Sequence, residues 1–131
     1  ELGEAAFSGC EALEELHLPP HLRRMGARCF RECRALEEVT VPGSLRVLPE
    51  RTFQNCTDLE KAVLHAGVER IGAEAFASAE SVALLHVWIP ETVTDIAPGA
   101  FERPGGTVLH GASGSEAEAY AKKNQLPFRP E

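Results

Sequence analysis

Four cysteines and five histidines are the side chains here that could carry chemistry. Cys29 and Cys33 are four residues apart, a spacing that on a helical turn would set two thiolates side by side for zinc. A structural zinc site needs four closed ligands, and no second pair completes one, so no metal is expected. Cys10, Cys33 and Cys56 recur at a step of 23 residues, which marks a structural column. Buried thiols acting as small hydrophobes are the expected state. Stacked equivalents about 5 Å apart also make a disulfide sterically conceivable. The histidines show no ligand spacing in the sequence, and His17 and His86 are expected to be solvated. Gly111-Ala112-Ser113-Gly114-Ser115 lacks the last glycine of a nucleophile elbow. Asn55-Cys56-Thr57 fits a glycosylation acceptor, but its middle residue belongs to an apolar column. No Ser-His-Asp or Cys-His set can be placed. The expectation is a non-enzymatic chain without a cofactor.

The elements that hold these residues follow a fixed metre. Phe7, Phe30, Phe53, Phe76 and Phe101 are separated by 23, 23, 23 and 25 residues. A period of that size marks a solenoid, one supersecondary unit stacked on copies of itself. Ala79 continues the cysteine column. Leu13, Leu36, Leu59 and Val82 form a second column, and Leu16, Val39, Ala62 and Leu85 a third. Leu18, Val41, Leu64 and Val87 form another. Leu22, Leu45, Val68 and Val93, then Met25, Leu48, Ile71 and Ile96, complete the set. One unit has a single apolar face and cannot bury it alone; stacking supplies the core.

Apolar residues alternate around Leu16 and Leu18 and around Val39 and Val41, which predicts short strands. Pro19, Pro42 and Pro90 stop them. Five parallel strands are expected near 15–18, 38–41, 61–64, 85–89 and 107–110, with the five phenylalanines stacked in a buried column. Met25, Cys29, Phe30 and Cys33 share a side at helical spacing, which predicts a helical turn over 26–33. The fourth copy carries two extra residues before Pro90. An insertion of two preserves a period of two, so Leu85, Val87 and Ile89 share one face, and Leu84, His86 and Trp88 the other. A longer strand or a bulge is expected to absorb the extra pair.

The pattern Ala-Phe-x-x-Cys-x-x-Leu-x-x-Val-x-Val-Pro, then Leu or Val, then Ile-Gly, resembles the BspA-type leucine-rich repeat. It is read in Cys29-Phe30 to Pro42 and in Val68 to Phe76, and the resemblance covers residues 2–101. It implies an α/β solenoid, a right-handed leucine-rich repeat with a short parallel sheet on the concave side and short helical turns on the convex side. It also implies a place on bacterial surfaces, some members being adhesins for host or extracellular proteins, with no enzymatic activity. Repeats are expected over 1–104, the first one partial, and a closing strand and helix over 105–131. In that tail Ser115 and Glu118 form a capping box, and Ala117, Tyr120, Ala121 and Leu126 face the last repeat. Leu2-Gly3 matches Ile71-Gly72, so the chain begins in mid-repeat. It is expected to be the C-terminal part of a longer array, with an open N-terminal end that invites self-association.

The net charge of −7 argues against nonspecific nucleic-acid binding and against an anionic membrane surface. No apolar run has the length of a bilayer span. The concave ladders are the remaining candidate site. In-register parallel strands align Glu15, Glu38, Lys61 and Leu84 in one column. They align His17, Thr40, Val63 and His86 in the other, with Trp88 added by the insertion. The N-terminal half is acidic, reinforced by Glu14 and Glu37. Trp88 is a candidate hot spot; the competing reading folds its ring over core. The expected role is a protein-interaction module, binding a protein or a glycan, in a secreted or cell-surface protein. The alternative is a structural spacer within such a protein.

Overall fold

A computed structural model describes all 131 residues. Each coil runs through three sides. The first side is the strand predicted from the period of two. Strands β1 (Glu15–His17), β2 (Glu38–Val41), β4 (Lys61–Leu64), β6 (Leu85–Trp88), β8 (Thr107–Gly111) and β9 (Phe128–Pro130) form a six-stranded sheet in the order β1-β2-β4-β6-β8-β9. Every pairing is parallel. Val39, Val41, Ala62, Leu64, Leu85, Val87 and Ile89 point inward and are buried.

A second side holds two-residue strands, β3 (Val47–Leu48), β5 (Arg70–Ile71) and β7 (Asp95–Ile96), in a three-stranded parallel sheet. Here Leu48, Ile71 and Ile96 are the buried members. Gly72 follows Ile71 because a Cβ there would lie 2.6 Å from the Glu50 backbone nitrogen, so two coils meet at that corner.

The third side corrects the helical expectation. Within 26–33, residues 27–32 form turns, and the only helix is α1 (Glu116–Lys123). The molecule is a parallel β-solenoid. Around each phenylalanine, alternate backbone N–H groups donate to the next coil: Phe7 to Cys29 at 2.8 Å, Phe30 to Thr52 at 3.0 Å, Phe53 to Ala75 at 2.7 Å and Phe76 to Ala100 at 2.8 Å. Arg28, Arg51 and Glu74, two residues before the aromatic, have φ of 60°, 54° and 55°. Left-handed residues interrupt an α-helix, and the inter-coil bonds satisfy the backbone instead. Helical spacing and the inward positions of this zigzag select the same residues, which is why the two look alike in sequence.

The rings stack as expected, with centroids 5.3 to 5.8 Å apart and planes within 20°. Phe30, Phe53, Phe76 and Phe101 are buried. Phe7 is 40% exposed, because no further ring covers its outer face. At the other end Tyr120 meets Phe101 edge-on at 5.8 Å. Helix α1 buries Ala117, Tyr120 and Ala121. The expected Ser115–Glu118 capping box does not form. Glu118 accepts from the Gly114 N–H at 2.7 Å, whereas the Ser115 hydroxyl donates backwards to the Ala112 carbonyl.

Candidate interaction face

The outer face of the long sheet carries two rows. Pairing gives Glu15–Glu38–Lys61–His86–Val108 as one row and His17–Thr40–Val63–Trp88–His110–Arg129 as the other. This corrects the expected register by two residues. His86 stands beside Lys61, and Trp88 beside Val63. Leu84 drops out of the ladder, lying 46% exposed before β6 begins. The reason is where the two extra residues went. Strand β6 has four residues, like β2 and β4, so the surplus sits in segment 77–84 rather than in a longer strand or a bulge.

That segment also leaves a hole in the core. Val82 does not join Leu36 and Leu59; it is 90% exposed. Ser81 and Arg103 fill the space. The buried Arg103 guanidinium donates from Nη1 to the Phe76 carbonyl at 2.8 Å. From Nη2 it donates to the Cys56 carbonyl at 3.1 Å and to Ser81 Oγ at 2.8 Å. Ser81 Oγ donates to the Thr57 carbonyl at 2.8 Å. Burial pushes the Arg103 pKa below its ordinary value. No sequence signal marked Arg103, because the carbonyls it serves become visible only in three dimensions.

The thiols resemble one another in chemistry and differ in place. Cys29, Cys33 and Cys56 are buried and Cys10 is half-buried; all four are free. Cys33 and Cys56 donate to the Phe7 and Phe30 carbonyls at 3.3 Å. Burial is the main cause of their raised pKa values, and Cys56 is pushed up to about 12. Such thiols are poor nucleophiles and poor metal ligands.

The two halves of the outer face differ. In the first half polar groups satisfy one another. His17 meets Glu15 at 2.6 Å and the Thr40 hydroxyl at 2.9 Å, and Lys61 meets Glu38 at 3.5 Å. In the second half aromatic rings assemble. The half-buried Trp88 ring lies parallel to the buried His110 ring with centroids 4.2 Å apart. His86 tilts against both, and Lys61 Nζ lies 5.7 Å from the Trp88 ring centre. Trp88 therefore stays on the outer face rather than folding over core, with one side covered by His110. His86 Nδ1 lies 2.9 Å from His110 Nε2, and His110 Nδ1 lies 3.1 Å from Glu131 Oε2. Burial, then His110, then Arg129 lower the His86 pKa. Sequence reasoning placed His86 in solvent and missed His110, whose strand carries no copy of the repeat motif.

On the short-sheet side lies an open concavity of about 780 Å³, lined by Arg23, Arg24, Met25, Ser44, Arg46 and Val47. No helix is long and apolar enough to cross a membrane. No three His, Cys, Asp or Glu side chains converge to hold a metal ion.

Comparison with known proteins places this arrangement. The model of the BspA type leucine-rich repeat region matches residues 1–105 in six copies. A leucine-rich repeat protein from Bacteroides ovatus, known from its crystal structure, is similar with a TM-score of 0.64 and 29% identity. The match covers 84% of this chain and 31% of that protein, so the chain spans about a third of its relative. No curated protein matches the sequence.

Proposed function

The chain belongs to the BspA-type leucine-rich repeat family, and from that membership we propose that it is a non-enzymatic protein-interaction module. Its place is a secreted or surface-associated bacterial protein. The binding surface is the outer face of the long sheet, the side expected to be concave, and the partner is an extracellular protein or a glycan.

The Trp88–His110 stack carries this reading. A half-buried indole on a strand face, flanked by Val63, His86 and Lys61, offers aromatic area that is already ordered, and little side-chain entropy is lost on contact. Glu15, His17, Glu38 and Thr40 flank it as a polar margin. Because Glu15 and Thr40 bond His17 and Glu38 pairs with Lys61, the first half of the sheet favours the spacer role, and the contact centre is assigned to the second half.

The test is a panel of extracellular-matrix proteins and a glycan array probed with the wild-type chain, Trp88→Ala and Lys61→Glu. A ligand whose binding falls at least about tenfold in Trp88→Ala supports the module, as a hot-spot truncation should. No ligand, or one that both variants retain fully, leaves the spacer role.

A further inference from the structure

We propose that His86 and His110 form a two-point chelate for a divalent cation of the zinc, nickel and copper class, with Glu131 orienting the second ring. The inference is independent of the interaction role above; a metal can bind here whether or not the sheet meets a partner.

The donors come from neighbouring parallel strands, His86 from β6 and His110 from β8. His110 Nδ1 sits 3.1 Å from Glu131 Oε2. An ionised carboxylate only accepts, so it holds the proton on Nδ1 and leaves a lone pair on Nε2. That lone pair faces His86 Nδ1 at 2.9 Å. In the metal-free molecule His86 therefore donates from Nδ1. A neutral imidazole can carry its one proton on either nitrogen. Moving it to Nε2 turns His86 Nδ1 into a second lone pair facing His110 Nε2, with no change in net charge. Carboxylate, imidazole and metal in line is the usual outer arrangement of a histidine ligand.

The distances fit. Two nitrogens each ~2.0–2.1 Å from a tetrahedral ion stand about 3.3 Å apart. The present separation of 2.9 Å must open by about 0.4 Å, and each lone pair must turn about 35° from the N–N line through a small ring rotation, given those bond lengths. The rings are already held, since His110 is buried and stacked on Trp88. The Glu131 backbone is held too, its N–H donating to the Gly111 carbonyl at 2.8 Å.

Charges around the site act in both directions. Lys61 on β4 and Arg129 on β9 oppose a cation. Glu131, directly after β9, and Glu38 on β2 paired with Lys61, offset them. With two protein ligands, the ion keeps open positions toward solvent, which water or a ligand atom from outside fills.

Trp88 is the only tryptophan in the chain and lies against both rings, so its fluorescence reports on this site. Titrating the intact protein with nickel chloride at neutral pH is expected to quench that emission saturably. One ion should bind per chain, and chelator or mild acid should reverse the effect. His86→Ala should weaken binding at least about tenfold and Glu131→Gln about 10–100-fold, while His17→Ala, at the far end of the sheet, leaves it unchanged. Because His110 is buried, the partly exposed His86 carries the mutational test. Zinc-induced shifts of the His86 and His110 ring signals in NMR of the wild type provide a readout without mutation. Absent quenching, or quenching that His86→Ala retains, overturns the proposal; full affinity in Glu131→Gln overturns the role of the carboxylate.

Discussion

The coil from Phe53 to Phe76 and the coil from Phe76 to Phe101 solve one packing problem with different chemistry. The first spans 23 residues and the second 25. In the first, Cys56 and Leu59 fill the core beside the ring, and the thiol caps a carbonyl of the preceding coil. In the second, Ala79 lies exposed instead of continuing the cysteine column and Val82 leaves for solvent, so Arg103 reaches in to cap carbonyls and occupy the gap. The same two-residue surplus sets His86 beside Lys61 and Trp88 beside Val63. One departure from the repeat thus accompanies the buried cation and fixes the row in which Trp88 stands. Divergence from a repeat is where a solenoid acquires something other than more length.

The largest expected effect lies in the regular coil. Phe53→Ala should cost about 3–5 kcal/mol as a core truncation, measured by urea unfolding. Phe7→Ala should cost far less, because its ring is covered on one side only. Equal losses at the two positions would show that the stack does not distinguish interior from end.

The irregular coil depends on Arg103. Arg103→Ala should cost about 2–4 kcal/mol, since it strands buried carbonyls and opens a void. Arg103→Lys should still lose about 1–3 kcal/mol, because one ammonium cannot replace the guanidinium fork. If Arg103→Ala unfolds at the wild-type midpoint, segment 77–84 packs without its cation, and the contrast between the coils fails.

Much of this was legible from residue type alone. The columns at a step of 23 declared the coil, the inward strand residues and the phenylalanine stack, because burial restricts every copy to apolar side chains. Strands β3, β5 and β7 were invisible because two residues cannot display a period. Strand β9 was hidden by Pro130, which the sheet tolerates at its edge. The register of β6 could not be read, since an insertion of two leaves every face unchanged and either end can set the pairing. That choice decided the site. It moved His86 into the row of Lys61, set Trp88 beside Val63 and removed Leu84, while His110 joined from a strand outside the repeat.

The smallest expected effect tests backbone strain across the same two coils. The row two residues before each phenylalanine is left-handed throughout: Arg51 and Glu74 have φ of 54° and 55°, and Gly99 has 75°. The regular coils place ordinary residues there, held by inter-coil bonds such as Arg51 N–H to the Ala73 carbonyl at 2.9 Å. The coil ending at Phe101 uses glycine instead. A Cβ on Gly99 would meet nothing closer than 3.7 Å, so Gly99→Ala changes backbone preference without a clash. It should cost about 1 kcal/mol, the usual penalty of a left-handed alanine. Ala5→Gly, with φ of 55° in the same row, should gain back a smaller amount, because glycine also loosens the unfolded chain. Unchanged stability in Gly99→Ala would mean that the inter-coil bonds impose this geometry on any residue at no net cost, and that glycine there compensates for nothing in the longer coil.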